Sequence, residues 1–162
     1  MKKLFILGIC LLLTSCFEIT EKIKHNSNQS GDYSLVIDFS NSWLKTKSAI
    51  LLEEVDGVSI PNEEDIKSKL AQFRADASKI KGTSKISTSY DFNTYVFKIN
   101  FSYNSIETLN AVLNTIDKKN SLVHFKNNNG RFERIASYPL PKDLAKKEDK
   151  KAGVIQTIID IL

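Results

Sequence analysis

The sequence predicts an α+β fold, a two-layer sandwich in which an antiparallel sheet of hairpins carries helices packed on one face. Three patterns predict it. Segments that alternate apolar and polar residues come in pairs around turn-forming clusters. Stretches with apolar residues every three or four positions are interposed between them. Each strand pattern has one polar side, as expected of a sheet that packs on helices with one face and meets water with the other.

Phe17, Ile19 and Ile23 alternate with polar residues, Asn26 to Gly31 is rich in turn formers, and Tyr33, Leu35, Ile37 and Phe39 resume the alternation, giving a first hairpin. Asn41 can cap a helix that runs to about Glu54, with Trp43, Leu44, Lys47, Ile50 and Leu51 on one side, stopped by the turn Val55-Asp56-Gly57. Trp43 can plug the core or anchor an interface near the N-terminus; core is the default. Pro61 and Asn62 ahead of Glu63, Glu64 and Asp65 start a second helix, because proline suits the first turn and carboxylates suit the positive end of the helix dipole. Its stripe is Ile66, Leu70, Phe73, Ala77 and Ile80, and Gly82 ends it.

Ile86, Thr88 and Tyr90 lead through Asp91-Phe92-Asn93-Thr94 into a strand with Tyr95, Phe97, Ile99, Phe101 and Tyr103 toward the core and Val96, Lys98, Asn100 and Ser102 toward solvent. Asn104 and Glu107 resemble a capping box for a third helix with apolar Ile106, Leu109, Val112, Leu113 and Ile116, and Lys118 and Lys119 complement the dipole in its last turn. A last hairpin pairs 122–126 with 131–138 around Asn129-Gly130, two residues suited to positive φ. Together 16–138 make one domain. Pro139 and Pro141 end the last strand, 142–151 is a charged linker, and 152–162 is a short apolar segment with Val154, Ile155, Ile158, Ile159 and Leu162 at helical spacing. That segment can dock on the domain, lie on a membrane or meet a partner; docking is the default, and it is too short to span a bilayer.

The chain has 162 residues and a formal charge of +4, which falls to +2 if Lys2 and Lys3 are removed, since residues 1–15 hold no Asp or Glu. That balance argues against nucleic acid as a partner. The candidate chemistry is sparse. His25 and His124 each stand alone in a predicted strand, so a zinc site needs both histidines and carboxylates assembled by the fold; surface or edge positions are the expectation. Glu53, Glu54 and Asp56, then Glu63, Glu64 and Asp65, lack the alternating order of a calcium loop. Phosphate-binding and nucleophile-elbow motifs are missing, which leaves an unrecognised hydrolase as a spatial arrangement only. The expectation is a non-enzymatic protein with no cofactor and no metal. A carrier holding an apolar ligand between helices and sheet is the alternative.

The first sixteen residues carry the strongest signal. Lys2 and Lys3 precede the apolar run Leu4 to Leu13, and Leu13-Thr14-Ser15-Cys16 places small residues before a cysteine. This order resembles the lipobox of bacterial lipoproteins processed by signal peptidase II. The resemblance implies that 1–15 is cleaved and that Cys16 is the lipidation site, carrying diacylglycerol on its sulfur and often an acyl chain such as palmitate on its amino group. An ordinary secretory signal with a coincidental cysteine is the competing reading. Cys10 leaves with the signal, so Cys16 has no intramolecular disulfide partner. Cys16-Phe17-Glu18-Ile19 followed by Gly31 to Ser40 also resembles small uncharacterised envelope lipoproteins of Bacteroidota type, in which a hairpin directly follows the cysteine. The resemblance implies export, a membrane held through the lipid anchor, a possible envelope protein partner, and no particular activity. Phe17 rather than Asp after the cysteine favours the outer membrane where one exists. The strand pattern begins at Phe17 with almost no spacer, so a module hugging the membrane is expected.

Overall fold

A computed structural model describes residues 17–52, 54–55, 58–116 and 122–135. Cys16, the signal segment, Lys118 and Lys119, the 139–151 linker and the 152–162 segment lie outside the described residues.

The architecture is α+β. Strands β1 (Glu18–His25), β2 (Gly31–Asp38), β5 (Thr83–Asp91) and β6 (Val96–Tyr103) form one antiparallel sheet in the order β1-β2-β6-β5. Register ties Glu18 to Asp38, Asp38 to Val96 and Val96 to Asp91, so these four residues mark one end of the sheet. His25, Gly31, Tyr103 and Thr83 mark the other. The inner face holds Tyr33, Leu35, Ile37, Phe97, Ile99, Phe101 and Tyr103, all buried. This is the face that period-two alternation assigns to the core.

Helix α2 (Glu63–Ser78) covers that face with Ile66, Leu70, Phe73 and Ala77, the stripe expected of it. Its start is a true capping box. The Asp65 N–H donates to Asn62 Oδ1 (2.9 Å) and the Asn62 N–H donates to Asp65 Oδ2 (3.1 Å). Helix α3 (Ile106–Leu113) buries Ile106, Leu109, Val112 and Leu113. Its cap is Ser105, one residue later than expected: Ser105 Oγ accepts from the Thr108 N–H (3.2 Å), while Asn104 Oδ1 accepts from Thr108 Oγ1 (2.9 Å). Two neighbouring residues with capping side chains compete here, and the chain direction out of β6 selects the second.

The hairpin of β7 (Phe125–Asn128) and β8 (Arg131–Arg134) is a separate two-stranded sheet, turned by Asn129 (φ 53°) and Gly130 (φ 81°). It takes part in covering the core. Phe125 is buried, Phe132 stacks on His25 (4.1 Å between centroids), and Arg134 Nε lies 3.2 Å from Glu21 Oε2 on the inner face of β1.

The remaining helix, α1 (Trp43–Leu52), departs from expectation. Asn41 does not cap it. A 3-10 turn (Ser40–Ser42) leads in, with the Ser40 N–H donating to Asp38 Oδ1 (2.8 Å). Two-residue strands β3 (Glu54–Val55) and β4 (Val58–Ser59) pair just after it, a mini-hairpin that the sequence pattern did not announce. No residue of α1 is buried, and the core position expected for Trp43 is corrected: the ring is about half exposed. The apolar stripe has the expected spacing, but Thr46, Ala49 and Ile50 turn inward and the larger residues turn out.

Candidate functional site

Two surfaces at opposite ends of the sheet hold the candidate functional residues. The first is the end marked by Glu18, Asp38, Val96 and Asp91. Phe17, the first described residue, is already tied to the fold, its ring 5.6 Å from Phe39. Phe39 meets Phe97 edge-on (6.3 Å), Phe97 meets Phe92 (5.8 Å), and Phe92 meets Tyr90 (4.9 Å), so a run of aromatic rings crosses this end. The Phe39 N–H donates to the Tyr95 carbonyl (3.1 Å), which fixes the chain as it leaves β2 for α1. Tyr95 holds its buried ring at a positive φ of 56° in the turn after Asp91. Burial and the nearby Glu63 carboxylate push its hydroxyl pKa up.

Beside these rings α1 exposes Trp43 (48%), Leu44 (61%), Leu51 (74%) and Leu52 (68%). Leaving a large apolar side chain in water forfeits about 1.5–3 kcal/mol relative to burying it. Four on one ten-residue helix form a patch that a monomer in water ordinarily avoids. Lys45 and Lys47 are the only charged residues of the helix. No helix of the described residues is long and apolar enough to cross a membrane.

The second surface lies on the outer face of the sheet, toward its other end. Lys22 and Lys24 of β1, Asp32 and Ser34 of β2, Asn100 and Ser102 of β6, and Lys85 line an open depression of about 390 Å³. Ser102 Oγ donates to Asp32 Oδ1 (2.6 Å), and Lys22, Lys24 and Lys85 against the one carboxylate give the lining a positive formal charge. Such a surface favours anionic groups. Lys85 stands at φ 50° where the β5–β6 register slips between Ser84 and Ser87. A bulge of this kind re-aims a side chain at the cost of backbone strain. The alternation of Ile19 and Ile23 with polar residues was readable in the sequence; the bulge was not, because lysine carries no signal for left-handed backbone.

The histidines occupy packed positions. His25 ends β1 with Nδ1 3.0 Å from Tyr103 Oη, and burial, with the Asp32 charge adding to it, pushes the Tyr103 pKa up to about 12. His124 precedes β7 rather than lying within a strand, and it is buried rather than superficial. Its Nε2 is 3.1 Å from Asn114 Oδ1, an oxygen that also accepts from the Leu122 N–H (2.9 Å). Among the described residues no three of His, Cys, Asp and Glu stand together as metal ligands. Glu63, Glu64 and Asp65 form the first turn of α2, with Asp65 taken up by the capping box; Glu53 and Asp56 lie outside the described residues.

Compared with family models, curated proteins and solved structures, the chain matches none.

Proposed function

We propose that this protein is a lipid-anchored lipoprotein of the bacterial cell envelope, a non-enzymatic binding or scaffolding module held close to the membrane. One observation carries the reading: Cys16, at the end of a segment that resembles a lipobox, directly precedes a residue whose ring already packs on the domain. A single peptide step of about 3.8 Å separates the two α-carbons. A lipid on Cys16 therefore sits against the aromatic end of the sheet. Two or three long acyl chains hold such a domain firmly, whereas one myristoyl chain holds it only marginally.

The lysine-rich depression supports the binding part of the reading. It lies toward the end of the sheet away from Phe17, so a domain tethered at Cys16 presents it outward to a partner in the envelope. The carrier alternative places an apolar ligand between helices and sheet, and there Ile66, Leu70, Phe73, Leu109 and Val112 occupy the space in contact with the sheet core. No specific observation favours it or a hydrolase.

The test is metabolic labelling with an alkyne fatty acid, combined with intact mass of the native product. Wild-type protein is expected to take the label and to begin at a Cys16 bearing diacylglycerol, and Cys16→Ser is expected to lose the label. An unmodified Cys16 sulfur overturns the anchor. A photo-crosslinking residue at Lys24 is expected to capture an envelope component that one placed at Lys81 does not.

A further inference from the structure

We propose that α1 is a second, non-covalent membrane contact, its Trp43, Leu44, Leu51 and Leu52 side chains lying in the interfacial region of the bilayer that holds the Cys16 lipid. The inference rests on the anchor reading and adds a surface to it. Its grounds are the placement, the chemistry and the isolation of this helix.

Placement comes first. The ring of Phe17 packs on Phe39, and only the 3-10 turn Ser40–Ser42 separates Phe39 from Trp43. Sixteen residues precede Phe17, and the last of them is the proposed lipid attachment point. The bilayer surface is therefore brought to the start of α1 by a covalent link of one residue. A contact delivered in this way acts at high effective concentration and needs little affinity of its own.

The chemistry suits the interface. α1 combines tryptophan and leucines with Lys45 and Lys47 and contains no carboxylate. Aromatic side chains with a polar edge favour the level of the headgroups, and lysine stems keep their ammonium groups in water beside buried apolar neighbours. Charge does not drive the contact. The carboxylates of Glu63 and Glu64 open α2 at this same end, where Lys67 Nζ lies 5.5 Å from the centre of the Phe92 ring. Glu64 is paired with Lys67, so little net charge is left at this end, and the apolar side chains carry the contact, which should form on zwitterionic lipid and resist salt.

Isolation leaves the exposed large apolar side chains of this helix without a described partner, with Lys47 among them. Ile50 alone among its large apolar residues packs partly against the core. The stripe at Trp43, Leu44 and Leu51 serves no described packing, and a lipid surface is the partner that the anchor places beside it. The apolar segment 152–162 and a second copy of the chain are the competing occupants.

Trp43 is the only tryptophan of the chain, so its fluorescence reports this helix directly. The full-length gene product, purified from bacterial membranes, would be reconstituted into phosphatidylcholine vesicles with plain or brominated acyl chains. Apolar faces of interfacial helices reach about 5–10 Å into the headgroup and acyl boundary, so brominated lipid is expected to quench Trp43 emission by roughly half. The double variant Leu44→Glu/Leu51→Glu, altered only at exposed positions, should float with the vesicles and keep its melting midpoint while losing that quenching. Floating protein whose Trp43 is unquenched and open to acrylamide overturns the inference and leaves the anchor standing. Trp43 shielded from acrylamide yet unquenched by bromine also overturns it, since protein then covers the helix. Protein that neither floats nor carries diacylglycerol defeats the anchor reading and this inference with it.

Discussion

Asn110 joins α3 to the terminal hairpin with three hydrogen bonds from one side chain. Its Oδ1 accepts from the His124 and Phe125 N–H groups (2.9 Å each), and its Nδ2 donates to the Phe125 carbonyl (2.8 Å). Phe125 and His124 are buried, so their backbone groups have little access to water. Asn110→Ala removes three hydrogen bonds to buried backbone groups, and each buried group that loses its partner costs about 1–3 kcal/mol. Partial opening of the hairpin to solvent limits the total, and a loss of about 3 kcal/mol in urea unfolding is expected. Acid should weaken two smaller features. Hydrogen bonds from the Ser40 hydroxyl and N–H hold the Asp38 carboxyl below its ordinary value, and its own N–H and the Ser105 hydroxyl do the same for Glu107. A carboxylate depressed in the folded state contributes stability above its unfolded pKa of about 4 and loses that contribution as pH falls through the lower folded value. Both groups are largely solvated, so screening keeps the contributions small. The urea midpoint should fall between pH 6 and pH 3, and the double variant Asp38→Asn/Glu107→Gln should show a shallower fall; an identical slope would remove these carboxylates from the account.

At the scale of elements, the sheet depends on a close approach that no hydrophobic pattern encodes. A β-carbon on Gly31 would lie 2.2 Å from the Lys24 carbonyl and 2.4 Å from the Tyr103 hydroxyl, so β1, β2 and β6 meet here without room for a methyl group. At Gly130, with φ 81°, an added β-carbon meets nothing within 4 Å. Gly130→Ala should therefore cost about 1–2 kcal/mol, the penalty of left-handed backbone alone. Gly31→Ala combines a backbone clash with displacement of the buried Tyr103 ring, and an overpacking cost of about 1–3 kcal/mol is expected together with a weakened β1–β2 pairing. Hydrogen exchange at Lys24 and Asp32 would report that weakening; equal protection in both variants would count against it. The same contrast separates what was legible from what was not. The β6 alternation and the α2 stripe were readable because every large apolar residue on them meets the core. The α1 stripe has the same spacing, yet spacing reports only that a helix has an apolar side, not which surface meets it. Of the candidate sites, the proposed lipobox rests on residue order alone, and Cys16 lies outside the described residues. The lysine depression was not readable in the sequence, since it needs three strands in register and a bulge at Lys85.

For the molecule as a whole, the proposed anchor and α1 lie at one end of a sheet whose eight-residue central strands span about 26 Å, and the lysine depression lies toward the other. If both contacts hold that end, they are redundant over short distances and should show it as non-additivity. Inserting ten Gly and Ser residues between Cys16 and Phe17 lengthens the tether to a root-mean-square reach of about 17 Å. No described contact crosses that bond, so lipid labelling and the melting midpoint should not change. With α1 intact, the domain should stay at its original height above the bilayer, because the exposed leucines and Trp43 still find the interface. With Leu44→Glu/Leu51→Glu and the native one-residue link, it should also stay, because the tether leaves it nowhere to go. Only the combination should release it, which neutron reflectometry on supported bilayers would register as a thicker protein layer. A layer that thickens with the spacer alone would mean that the covalent link does all the holding and that α1 contributes nothing. A combined variant that remains low would mean that another surface of the domain meets the membrane, and the orientation argued from Phe17 would be wrong.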